Sequence, residues 1–208
     1  MDQAARLALN FTAVGFVVLG AATVLEWYRH RGQAQGMLAL SLVSLALVAA
    51  IGRVQELIGA PAVLGIVTLL AFLASGYFVL LFRDAFLPLS RRARVAANVL
   101  LAVSCVVGIV LVLVPGQAGS TLTTALSLEL IGTWAIFTGE PIVRFWLASR
   151  KLPSVQKARM RALSFGFAIL IAIVVVNVLG GTALRSPAAI ITTQLLALAG
   201  VPIIPESR

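Results

Sequence analysis

Glu129 and Glu140 stand in one otherwise apolar stretch, and no other residues in the chain combine type and setting so suggestively. A carboxylate in hydrocarbon is costly by a few kcal/mol and is found facing protein or water, where it packs by hydrogen bonds, binds a ligand or carries a proton. Eleven residues separate the two. At about 100° per residue, eleven steps leave them within about 20° of each other, on a helix face that Thr133 and Ile136 share. Glu140 precedes Arg144 by one turn, in the order that favours a local ion pair anchoring the helix end. Glu129 has no such neighbour in its own helix. It lies 8 residues in from Thr121, about 12 Å deep at 1.5 Å per residue. Two roles are open to it: a hydrogen bond that fixes helix packing, or a binding or proton-sensing site in the outer half of a bundle.

Other polar residues sit at comparable depth. Gln194 is 8 residues in from Ser186, Thr192 and Thr193 precede it, and Asn177 lies one turn from the end of the preceding apolar stretch. Arg53 and Glu56 close the second stretch, and the long arginine side chain reaches inward by about a turn. Glu129, Arg53, Gln194, Asn177 and Thr193 therefore form the candidate ligand-binding set. Arg53 is the expected charge partner of Glu129, with Glu56 competing for it. No catalytic residue is assigned, because no hydrolase, P-loop, dinucleotide or zinc signature is present. His30 is the only histidine and Cys105 the only cysteine, so no metal site, cofactor or internal disulfide is expected. Cys105 is expected as a buried, inert thiol. Trp27, Tyr28, Phe145 and Trp146 suit a membrane boundary, whereas Trp134, about 140° round the helix from Glu129, suits packing.

The elements that must position these residues follow from composition. The 208 residues are 61% hydrophobic and 11% charged, with a mean hydropathy of +1.06. Soluble domains carry about 25% charged residues, so these charges are too few to cover a water-facing surface, and lipid is the expected solvent. The net charge of +9 does not point to nucleic acid, because the basic residues form short clusters between long apolar runs. A membrane helix needs about 20 apolar residues. Reading from charge to charge, and breaking the longest run at Pro115-Gly116-Gln117-Ala118-Gly119-Ser120, gives an all-α, seven-helix transmembrane bundle. Its helices are expected over about 7–27, 34–57, 61–82, 95–114, 121–145, 161–181 and 186–205, in a single transmembrane domain. The first stretch is expected to remain as a helix, being longer than a signal peptide's apolar core and lacking a clear cleavage site.

Basic residues bias their loops to the cytoplasm. Alternate loops place 13 of the 16 on one side, including Arg83, Arg91, Arg92, Arg94, Arg144, Lys157 and Arg161. Arg6, Arg53 and Arg185 are left on the other. The N-terminus is thus expected outside and the C-terminus in the cytoplasm. Seven spans do not divide into equal inverted halves, so the usual pointer to a secondary transporter is missing.

Two junctions carry a family resemblance: residues 75–90 read SGYFVLLFRDAFLPLS, and residues 145–163 read FWLASRKLPSVQKARMRAL. With seven spans and an outer N-terminus, the chain resembles the N-terminal seven-transmembrane sensor regions of bacterial histidine kinases and related membrane signalling proteins. The resemblance implies a homodimer in the bacterial cytoplasmic membrane, responding to a small-molecule or lipid ligand or to the membrane's state. It also implies a seventh helix leading to a cytoplasmic output domain. No phosphoacceptor-histidine helix or ATP-binding domain is present within residues 1–208, so kinase activity is expected of sequence outside them. The expected function is therefore a sensory input module and not an enzyme in itself. The alternative is a small transporter or channel subunit using Glu129 as an ion or proton site.

Overall fold

Long uninterrupted apolar runs with few glycines or prolines inside them favour helix wherever backbone groups lack water to bond. The computed structural model describes residues 3–58, 61–113, 121–150 and 153–179. These residues form α1 (Gln3–His30), α2 (Gln33–Ile58), α3 (Ala62–Phe86), α4 (Arg91–Leu113), α5 (Thr121–Ser149) and α6 (Ser154–Leu179). Every regular element among the described residues is a helix. The helix expected over 186–205 lies outside the described residues, as does the turn over 115–120.

The helices run past the charges that delimit the apolar stretches: α4 starts at Arg91, α5 continues to Ser149, and α6 begins at Ser154. A charge marks the edge of hydrocarbon, not the end of a hydrogen-bonded ladder, and long basic side chains keep their heads in water while the backbone stays helical.

Four of the helical segments are long and apolar enough to cross a membrane: Gln33–Gly52, Ala62–Phe86, Arg91–Leu113 and Thr121–Ser149. Their surface agrees. Val95, Val99, Val103, Val106 and Val110 form an exposed lane along α4. In water such a lane would be an association patch; against lipid chains it carries no penalty. The protein is an all-helical membrane protein.

The chain divides into two compact units, Phe16–Thr138 and Met1–Gly15 with Gly139–Arg208. In the first, α3 packs against both α2 and α4. Without a hydrophobic drive between helices in lipid, small residues and hydrogen bonds hold such packing. Ser41 of α2 donates to the Ser75 carbonyl at 2.9 Å, and the Ser75 hydroxyl donates to the Phe72 carbonyl at 2.6 Å. Trp134 of α5 completes the seat: its indole N–H donates to Ser75 Oγ at 3.0 Å, and its ring stacks on Phe72 at 5.1 Å. Gly76 makes room, since a Cβ there would stand 2.9 Å from Trp134 Cδ1. The next residue, Tyr77, donates to Asn98 Oδ1 of α4 at 2.5 Å and meets Phe137 edge-on. Leu80, Ala97 and Phe137 form the buried cluster beneath it.

The ends of this unit are tightly turned. Arg31 takes the left-handed backbone conformation (φ 53°) after α1, sends its N–H to the Trp27 carbonyl at 2.7 Å, and lays its guanidinium over Tyr28. Between α3 and α4, Asp84 works twice: Oδ1 accepts the Leu89 N–H at 2.5 Å and Oδ2 pairs with Arg94 at 2.6 Å. Ser90 caps α4 by accepting the Ala93 N–H at 3.2 Å. The buried Arg83 donates to the Leu87 carbonyl at 2.6 Å. Asp84→Ala should therefore lower stability by about 1–3 kcal/mol, since it strands a backbone donor and a cation together. Asp84→Asn keeps an acceptor for Leu89 and should cost less. Thermal unfolding of both variants in neutral detergent checks the order; equal losses would mean that the bond to Leu89 contributes nothing.

In the second unit, Glu140 and Arg144 form the expected pair, with Nε 3.2 Å from Oε1. Ser164 of α6 lies 3.2 Å from the Ile142 carbonyl and 3.0 Å from that of Met160, so its hydroxyl serves one or the other. Arg161 sits over the Trp146 ring at 5.1 Å.

Candidate functional site

Helices α4 and α5 meet within the first unit at a polar cluster of three side chains. Ser104 stands 9 residues before the end of α4 at Leu113, and Glu129 stands 8 residues after the start of α5 at Thr121. At about 1.5 Å per residue these are depths of about 14 and 12 Å from neighbouring helix ends, so the two reach one level. Thr133, one turn beyond Glu129, closes the group.

Both hydroxyls gather on one carboxylate oxygen. Thr133 Oγ1 donates to Glu129 Oε1 at 3.1 Å. Ser104 Oγ is 2.7 Å from the same oxygen and 2.9 Å from Thr133 Oγ1, so its single proton goes to one of them. Ser104 is fully buried and Thr133 is 3% exposed, so water does not compete for these bonds. The second carboxylate oxygen differs: Glu129 Oε2 is buried and has no hydrogen-bond partner among the described residues. A buried carboxylate oxygen without a donor is worth several kcal/mol to any group that supplies one. The arrangement fixes the carboxyl group by one oxygen and leaves the other to accept a proton, a cation or a donor group of a ligand.

Of the candidate ligand-binding residues, Glu129 is the one whose side chain the structure describes, and Thr133, expected on its helix face, joins it at this cluster. The side chains of Arg53 and Asn177, and all of Thr192, Thr193 and Gln194, lie outside the described residues, as does Glu56 at the side-chain level. The expected Arg53–Glu129 charge pair therefore lies outside them too. Trp134 is 2% exposed, in its seat on α3. Cys105, expected buried, is half-buried beside Ser104, because it sits one residue round α4 from the α5-facing side.

Sequence reasoning passed over Ser104, although a signal was present. In a hairpin of antiparallel helices, residues equidistant from the turn face one another. Ser104 is 13 residues before Gln117 and Glu129 is 12 after it. Counting outward from Gln117, within the break over residues 115–120, would have brought them nearly level.

Geometry thus defines an all-helical membrane protein with an intramembrane carboxylate held by two hydroxyls. The chain matches no family model, no curated protein and no solved structure.

Proposed function

We propose that this chain is a membrane sensory input module in which Glu129 is the group through which the signal acts. The observation that carries the reading is the asymmetry of that carboxyl group: Oε1 is held by Ser104 and Thr133, while Oε2 is buried and has no partner among the described residues. A proton or the cationic or hydrogen-bonding group of a ligand would satisfy Oε2 in one arrangement of the helices better than in another. Differential affinity of that kind is the only means by which a ligand shifts a conformational equilibrium. The proposed frame is seven spans with the N-terminus outside and the C-terminus in the cytoplasm, acting as a homodimer on an output domain, in the manner of the sensor regions that residues 75–90 and 145–163 resemble.

A second reading, a transporter or channel subunit, draws on the same buried oxygen, which would serve equally as a waystation for a proton or monovalent cation. Proteoliposomes containing the chain separate the two. After a step in pH or sodium concentration, a sensor changes amide exchange at the helix ends without passing ions, whereas a transporter gives a flux that Glu129→Gln abolishes. No change in either quantity, under any step, would contradict both readings.

The frame has its own test. A reporter active only in the cytoplasm should work when fused after Arg94 or Lys157 and be silent after Gly119. Activity after Gly119 would reverse the orientation or change the span count.

A further inference from the structure

We infer that the first turns of α4 bind an anionic phospholipid, with the phosphate held by Arg91 and Arg92 and an acyl chain along the valines that follow. A groove of about 760 Å³ runs here, lined by Arg91, Arg92, Val95, Ala96, Val99 and Val103. It belongs to α4 alone and is separate from the Glu129 cluster, so the inference does not rest on the proposed function.

Three features of the groove agree on the occupant. The first is charge. Arg94, next in the cluster, is taken by Asp84 at 2.6 Å. The side chains of Arg91 and Arg92 are exposed and have no ion pair or hydrogen bond among the described residues. The second is the helix start, where Ser90 takes the Ala93 N–H and the positive end of the α4 dipole adds to the two guanidinium groups. The third is length. From Arg91 to Val103 is 12 residues, about 18 Å along the helix, against about 15 Å for one leaflet of a hydrocarbon core about 30 Å thick. The arginines therefore stand at headgroup level while Val95, Val99 and Val103 line the depth of that leaflet.

A second copy of this chain fits the groove poorly. Around a two-fold axis along the membrane normal it would bring its own Arg91 and Arg92 to the same level, setting four cations together. An anionic lipid brings the opposite charge and an apolar chain at once.

The test uses the full chain in neutral detergent, with lipid binding followed by native mass spectrometry and thermal shift. The probes are phosphatidylglycerol, phosphatidylcholine with the same acyl chains, and glycerol phosphate without chains. Phosphatidylglycerol should bind and raise the unfolding temperature, phosphatidylcholine should bind roughly tenfold more weakly, and glycerol phosphate should not compete at equal concentration. At about 1 kcal/mol per basic residue near an anionic surface, Arg91→Gln with Arg92→Gln should weaken phosphatidylglycerol binding roughly thirtyfold. The control pair Arg150→Gln with Lys157→Gln should leave it nearly unchanged. Val99→Trp, which fills the groove on a lipid-facing position, should also weaken binding. Equal affinity for the two lipids, equal losses in the control pair, or full competition by glycerol phosphate would each overturn the proposal. So would a Val99→Trp variant that binds lipid normally but no longer dimerises, since the groove would then belong to a second copy. Should the arginine variant fail to fold, the comparison of the three probes on the parent chain decides alone.

Discussion

Trp134→Ala should lower the stability of the protein in detergent by about 3–5 kcal/mol, the usual range for emptying a buried aromatic site. The indole fills the space between α3 and α5, stacks on Phe72, and satisfies Ser75 Oγ, which itself bonds the α3 backbone. Trp134→Phe should retain most of the packing and lose about 1 kcal/mol for the N–H bond to Ser75. Gly76→Ala attacks the same seat from the other side. Its Cβ would stand 2.9 Å from Trp134 Cδ1 and 3.4 Å from Phe137 Cβ, so the indole must shift; overpacking of this kind costs about 1–3 kcal/mol. Thermal and denaturant unfolding of the three variants should rank Trp134→Ala as the most damaging. If Gly76→Ala were neutral, the indole would not be held where it is described.

Glu129→Leu should cost about 1–3 kcal/mol, because it removes the acceptor shared by two buried hydroxyls. Ser104 and Thr133 can still bond each other at 2.9 Å, which limits the loss. Glu129→Gln keeps an amide oxygen for those hydroxyls, and its stability should lie within about 1 kcal/mol of the parent. Ser104→Ala with Glu129→Leu should cost less than the sum of the two single changes, because both delete one network. Strict additivity, measured as unfolding free energies of the two singles and the double, would show that the hydroxyl and the carboxylate do not interact.

Much of this architecture is legible in the sequence, for a physical reason. Lipid forces every backbone group into a helix ladder, so apolar runs between charges reveal helices at nearly full strength. The Glu140–Arg144 pair is equally legible, being local to one helix. The Trp134 seat is not. Its position about 140° from Glu129 suggests packing, but nothing in α5 names Ser75 and Gly76 as the receiving surface, because contacts between distant helices depend on which helices adjoin. The segment over residues 84–90, the end of α3 and its turn into α4, is a middle case. The Asp, Pro and Ser of that segment mark a turn, yet the double use of Asp84 arises only when Leu89 and Arg94 fold back on it. The site divides the same way: the residue type of Glu129 announced it, whereas its partner Ser104 depends on how α4 and α5 pair.

In the proposed mechanism Glu129 responds to a signal and does not merely pack. Amide exchange in proteoliposomes, compared for the parent and Glu129→Gln across a step in pH or sodium concentration, tests it most directly. Both proteins should unfold at nearly the same temperature, the parent should change its protection at the helix ends, and Glu129→Gln should stay fixed in one state. A Glu129→Gln protein that responds as the parent does would contradict it, leaving Glu129 as a packing residue.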